Sequence, residues 1–151
     1  MIPSFRYGTP ANSKQWQAYY QFRWQQLRAP LGLALGSERD ALEEQAYHRI
    51  CLTEDGTILA VGRIHYETTK ENLQCGRIRY MAVTAEFQGF GIGRELVRQL
   101  LTDARNRGVT DCYLHAREKA CGFYQALGFK LLERVKSELD QPHFLMQIQL
   151  T

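Results

Sequence analysis

Along this chain the spacing of apolar residues alternates between a strand-like and a helix-like period, and each change marks an element. Phe5-Arg6-Tyr7 reads as a short first strand. Trp16, Tyr19, Tyr20, Arg23, Trp24 and Leu27 recur three and four residues apart. They predict a helix from about Lys14 to Arg28, with Ser13 as its cap and Pro30 and Gly32 as its stop. Glu38 to Gln45 reads as a short second helix. Ala46 to Thr53 and Ile58 to Tyr66 read as strands joined through the turn pair Asp55-Gly56. The polar stretch Glu67 to Gln74 then forms a second hairpin loop into a central strand, Gly76 to Val83. Ile92, Leu96, Val97, Leu100, Leu101 and Ala104 return to helical spacing in a long helix, Gly91 to Arg107, closed by Gly108. A strand within Val109 to Ala116, a helix from Lys119 to Leu127, a strand from Phe129 to Leu132, a polar connection from Lys136 to Pro142 and a strand from Phe144 to Leu150 complete the chain.

This order predicts an α/β fold. Its central sheet is mixed and mostly antiparallel, with parallel pairing at the strands on either side of the long helix. A chain of 151 residues fits a single domain spanning 1–151. Phe144 to Leu150 is an apolar terminal strand, and pairing across a homodimer axis would protect such an edge.

Composition narrows the function classes. The net charge of +3 is mild and the arginines form no single basic run, so no nucleic-acid partner is expected. No apolar stretch approaches a membrane span, and the N-terminus lacks the pattern of a secretory leader, so a cytoplasmic location is expected. Cys51, Cys75, Cys112 and Cys121 are scattered and read as reduced thiols. The four histidines, His48, His65, His115 and His143, have no metal-ligand spacing, and no metal is expected.

The candidate chemistry lies where the central strand meets the long helix. The connecting segment Gln88-Gly89-Phe90-Gly91-Ile92-Gly93-Arg94 carries three glycines within five residues. Glycine permits close backbone approach, and a helix N-terminus favours negative charge, so the ligand class is a phosphate or pyrophosphate. The glycine spacing does not fit a dinucleotide fingerprint, and the loop lacks the Gly-Lys-Ser/Thr ending of a nucleotide-binding P-loop.

Q-x-x-G-x-G, as it stands in Gln88 to Gly93, resembles the acyl-coenzyme A pyrophosphate loop of the GNAT superfamily of N-acetyltransferases. Ala120-Cys121-Gly122-Phe123-Tyr124-Gln125-Ala126-Leu127-Gly128-Phe129 resembles a second segment of that family, A-x-x-F-Y-x-x-x-G-F, at the right separation. The resemblance implies a fold whose parallel strand pair splays to admit the coenzyme. It implies acetyl-CoA as co-substrate, contacted by Met81, Ala82 and Val83 along the pantetheine and by Gln88, Gly89, Phe90, Gly91, Ile92, Gly93 and Arg94 at the pyrophosphate. It also implies direct attack by a primary amine in a ternary complex, with Tyr124 as general acid. The acceptor is a small molecule or a peptide amine, and the first helix, the region Leu31 to Gln45 and the loop Glu67 to Gln74 are expected to select it. Trp16, Tyr20 and Trp24 are candidates to line a cation-friendly pocket, with helix packing as their alternative role.

Two departures from the family pattern bear on mechanism. Many members carry a glutamate eleven residues before the loop glutamine, where this chain has Arg77, and no Asp or Glu occurs from Asn72 through Ala85. His115 is the replacement base by residue type, its alternative being a sheet histidine with no role. His65, Glu118 and a water chain are further options. Arg117 stands where members often carry asparagine. The missing glutamate leaves a second reading from another class, a coenzyme-A-binding sensor or interaction module without catalysis.

Overall fold

The computed structural model describes residues 2–137 and 141–151. Its elements are β1 (Phe5–Gly8), α1 (Ser13–Leu27), β2 (Tyr47–Thr53), β3 (Ile58–Thr68), β4 (Gln74–Val83), α2 (Ile92–Asn106), β5 (Asp111–Arg117), α3 (Cys121–Ala126), β6 (Lys130–Val135) and β7 (His143–Gln149). They form a seven-stranded sheet in the order β1-β2-β3-β4-β5-β7-β6. Neighbours are antiparallel except β4 and β5, which are parallel. This is the expected mixed sheet.

Alternation along the strands gives the sheet two different faces. Ile64, Ile78, Cys112 and Leu114 point to one side, where Val97, Leu100, Leu101 and Ala104 of α2 cover them. These α2 residues are the stripe predicted from periodicity, and all are buried. Gly108, at φ +76, ends the helix, and the Val109 N–H returns to the Ala104 carbonyl at 2.9 Å. On the other face, Tyr19 and Phe22 of α1 pack on Ile50, Leu52 and Val61. Beyond this patch the same face is polar: Arg63 and His65 of β3 lie opposite Arg79 and Arg77 of β4. A burial-driven periodicity finds the first face and cannot explain the second.

Several boundaries differ from the sequence reading. Asn12, not Ser13, caps α1, its side chain accepting from the Gln15 N–H at 2.9 Å. The stretch from Glu38 to Gln45 forms no α-helix; only a 3₁₀ turn at Glu43–Gln45 is present, because its carboxylates bond elsewhere, as described below. The apolar strand at the C-terminus is not an edge. β7 lies between β5 and β6, so β6 takes the outer position and Phe144 to Leu150 offers no free edge for a dimer. The connection from Lys136 to Pro142 lies partly outside the described residues. The four cysteines are free, and among the described residues no cluster of ligating side chains could hold a metal ion. No described helix is long and apolar enough to cross a membrane.

Candidate functional site: a strand fork beside a glycine loop

β4 and β5 pair only at Gly76 with Cys112 and at Arg77 with Tyr113. After these two rungs the strands part. Part of this divergence begins in β4. Tyr80 adopts φ +59, unusual for an aromatic residue, and the β3–β4 register shifts between Val61 and Arg63. Two β4 residues, Tyr80 and Met81, therefore oppose the single Gly62, as in a bulge. Gly62 leaves room there for the Met81 thioether, which a Cβ at this position would displace. A strained backbone of this kind costs roughly 1–3 kcal/mol and persists only where its surroundings hold it. Here guanidinium groups stack around the Tyr80 ring, that of Arg23 at 3.8 Å, Arg79 at 4.7 Å and Arg63 at 5.0 Å from its centroid.

Those arginines belong to a buried ionic layer under the 28–45 segment. Arg23 and Arg63 are 0% exposed. Glu43 accepts from Arg23 at 2.8 and 2.9 Å and pairs with Arg63 at 2.9 Å. Asp40 accepts from Arg63 at 2.7 and 2.9 Å and from Arg79 at 3.0 Å. Arg23 also donates to the Glu38 carbonyl. Burial alone would raise the Asp40 and Glu43 carboxyls, but the arginine hydrogen bonds outweigh it and hold both below the ordinary carboxylate range. His48 joins the layer as a neutral ring. Its Nε2–H donates to the Glu43 carbonyl at 2.7 Å, and its Nδ1 accepts from the Tyr19 hydroxyl at 2.7 Å. Burial pushes its pKa down.

The glycine loop follows β4 through a 3₁₀ turn, Ala85–Phe87. The Gln88 side chain donates back to the Val83 carbonyl at 3.1 Å, tying the loop to the strand end. Gly89 and Gly91 are left-handed, at φ +87 and +83, and a Cβ at either would meet no protein atom within 4 Å. Gly91 is the cap of α2, and no side chain bonds the first N–H groups of that helix. The loop thus presents uncapped amides with open space above two of its glycines, the arrangement a phosphate group needs. Gly93 differs. Its Cβ would sit 3.3 Å from Val83 and 3.4 Å from Phe123, so this glycine serves the packing of α2 on β4 and α3.

The fork opens into a cleft of about 320 Å³ on the polar face of the sheet, reached by Tyr80 and Met81 of β4, His115 of β5 and Tyr124 of α3. Tyr124 is 7% exposed, and burial pushes its phenol far above the ordinary range, with Arg117 opposing in part. Its ring is held edge-on between Phe123, at 4.9 Å, and Phe129, at 5.6 Å. Phe129 is buried in the core, whereas Phe123 is 40% exposed, so its ring is only half in the core. His115 faces the cleft beside Arg77, which lies 3.2 Å from its Nδ1. The ring is exposed to the cleft, and partial desolvation, then Arg77, then His143 lower its pKa.

The structure brings Tyr124, His115 and Met81 to one cleft. Ala82 and Val83 continue β4 toward the loop, and Gln88 to Arg94 stand at its far end, outside the cleft lining. His65 lies apart, bonded to Arg63 at 2.6 Å and to Glu67 at 2.8 Å. Glu118 is exposed in a 3₁₀ turn. The aromatic residues of α1 do not form a cation pocket for a ligand. Trp16 stacks on Tyr20 at 5.7 Å, and the Trp24 ring N–H donates to the Leu33 carbonyl at 3.0 Å. The cations over Tyr20 are the protein's own Arg39, at 3.6 Å, and Arg23, at 5.1 Å. Sequence reasoning did not single out Arg28, Arg79 or Tyr80. The signal available was a cationic residue at each alternate position of a strand, Arg77 and Arg79, with no partner nearby in sequence.

Residues 10–129 match the family model described as the acetyltransferase (GNAT) family. The chain belongs to the GNAT family of acetyltransferases, and its enzyme class is that of the GNAT-type N-acetyltransferases. It is 28% identical over 115 residues to the uncharacterized protein YyaT of Bacillus subtilis (strain 168), covering 76% of this chain and 73% of that protein. It is 32% identical over 90 residues to glucosamine 6-phosphate N-acetyltransferase 1 of Oryza sativa subsp. japonica, covering 56% of this chain and 54% of the rice protein. An acyl-CoA N-acyltransferase structure from Pseudomonas aeruginosa superposes with a TM-score of 0.76 at 23% identity, covering 96% of this chain and 98% of the other, which is a likeness of fold.

Proposed function

We propose that this protein transfers an acetyl group from acetyl-CoA to the primary amine of a small acceptor, by direct attack in a ternary complex. The observation that carries the reading is the parting of β4 and β5 beside an uncapped helix N-terminus with two left-handed glycines. Backbone amides of Gln88 to Arg94 bind the pyrophosphate, and Met81, Ala82 and Val83 contact the pantetheine arm. Tyr124 donates a proton to the departing thiolate. Burial keeps the phenol protonated at neutral pH, and rings on two sides fix its direction.

The acceptor must lose a proton before attack, since an alkyl ammonium has a pKa near 10.4. His115 takes this proton. Arg77 donates to its Nδ1, so the neutral ring carries its hydrogen on Nε2 and its lone pair faces Arg77. His115 thus becomes a base at Nδ1 only as Arg77 swings away, and the two residues act as one unit.

Calorimetry of coenzyme A with the wild-type protein and with Gly91→Val tests the loop. Strong weakening in the variant is expected. Equal affinity of the two proteins contradicts the loop assignment.

A further inference from the structure

Three arginines are buried among the described residues: Arg23, Arg63 and Arg28. The first two lie against Glu43 and Asp40. Arg28, 7% exposed, pairs with no carboxylate of the described residues; its Nε is buried without a hydrogen-bond partner, and the Tyr80 ring lies 5.6 Å away. A buried guanidinium left without an anion is costly, and the described residues supply carboxylates to Arg23 and Arg63 and none to Arg28. Arg28 lines the catalytic cleft. Arg77, Arg79, Arg117 and Lys136 line it too, and among the described residues no Asp or Glu does. Among the described residues, only Arg79 of these has a carboxylate, Asp40. The buried Nε of Arg77 is also without a partner. The proposed pyrophosphate loop, Gln88 to Arg94, lies outside this cleft, so the pyrophosphate does not meet this charge.

We infer that the acceptor is a small primary amine that also carries an anionic group, a carboxylate, phosphate or phosphonate, and that Arg28 binds that group. The inference rests on the acetyltransferase reading above. Volume and lining agree with it: about 320 Å³ is the lower end of small-ligand pockets, and Leu27 and Leu31 leave an apolar wall beside Arg28. An oriented guanidinium recognises planar carboxylate and phosphate oxygens through paired N–H groups. The same charge repels polyamines and lysine-rich peptides, whose additional ammonium groups would enter a cationic cleft. Arg28 is therefore a specificity residue, distant in sequence from the motifs that define the family.

The test is acetyl-CoA turnover, read as thiol release and product mass, on amines matched except for charge: L-leucine with L-leucinamide, 2-aminoethyl phosphate with ethanolamine, and spermidine as the cationic member. The anionic member of each pair that reacts should show at least about tenfold higher kcat/KM, and spermidine should react slowest. Neutral or cationic members reacting as well as anionic ones overturns the inference. Arg28→Gln should collapse the ratio within a pair, and Arg28→Lys should restore part of it; a ratio unchanged in a folded Arg28→Gln protein also overturns it. If coenzyme A binds but no amine reacts, the acetyltransferase reading fails separately. Calorimetry of 2-aminoethyl phosphate and inorganic phosphate on the coenzyme-saturated protein then decides the anion site: binding that wild type shows and Arg28→Lys retains supports it, and no binding to wild type overturns it.

Discussion

The Arg77 guanidinium lies 3.2 Å from Nδ1 of His115 across the β4–β5 fork. Because arginine only donates, the pair fixes a neutral imidazole with its lone pair turned to Arg77. At this position the family resemblance leads one to expect a glutamate, which would attract a proton; Arg77 instead disfavours a proton on the neighbouring ring.

Partial desolvation is the larger cause of the depressed His115 pKa, and Arg77 is next. Arg77→Met should therefore move the His115 titration upward toward the ordinary value near 6.5. NMR of the ring protons reads this directly, and the acid limb of kcat/KM should move upward with it. A shift downward, or none, would remove Arg77 as a control on this histidine. His115→Ala should cost most at low pH and recover partly in alkali, where free amine is abundant; a loss independent of pH would take His115 out of the mechanism.

Tyr124→Phe should lower kcat with little effect on coenzyme affinity, since the ring and its edge-on contacts with Phe123 and Phe129 remain. General-acid help is worth roughly 100- to 10,000-fold, and a thiolate leaving group places the expected loss toward the low end. Steady-state kinetics with any accepted amine gives the answer; an unchanged kcat leaves Tyr124 as packing.

Much of this site was legible because it is made by local pattern. The α2 stripe from Ile92 to Ala104 and the glycine spacing after Gln88 are short-range features, and both stand as the sequence indicated. What stayed hidden depends on strands meeting across the sheet. Nothing near Tyr80 in sequence announces a left-handed residue inside a strand; that conformation follows from Gly62 opposite it and from arginines drawn from α1, β3 and β4. The stretch from Glu38 to Gln45 has helical composition, yet Asp40 and Glu43 are committed to Arg63 and Arg23, and tertiary ion pairing overrides local propensity. Position in the sheet likewise decides that β7 is inside and β6 outside.

The two kinds of glycine in the loop should separate by experiment. Gly91→Val strains a left-handed cap and fills space that the phosphate needs, so coenzyme affinity should fall sharply while the apo protein loses roughly 1–3 kcal/mol. Gly93→Val drives a side chain against Val83 and Phe123 and should show its effect first in thermal stability. Equal behaviour of the two variants in melting and in coenzyme binding would contradict this division.

Asp40 closes an ionic layer with Arg63 and Arg79, and its removal leaves Arg63, 0% exposed, with one carboxylate fewer. Asp40→Asn should destabilise the fold by about 3 kcal/mol, the scale for breaking a buried pair. The sign of the pH effect follows from the depressed carboxyls of Asp40 and Glu43. Their stabilisation is complete above the unfolded carboxylate pKa, near 4, and is lost as pH falls through the lower folded values. Denaturant titrations from neutral to acid pH should show wild type losing more stability than Asp40→Asn. Parallel acid curves would mean that Asp40 carries little of the layer.

Amine-dependent release of coenzyme A from acetyl-CoA, with the acetylated amine weighed by mass spectrometry, tests the assignment most directly. The expected result is one acetylated amine for each coenzyme A released, at a rate that falls in Tyr124→Phe. Tight coenzyme binding with no acetyl transfer to any amine would contradict it and leave a coenzyme-binding module in place of an enzyme.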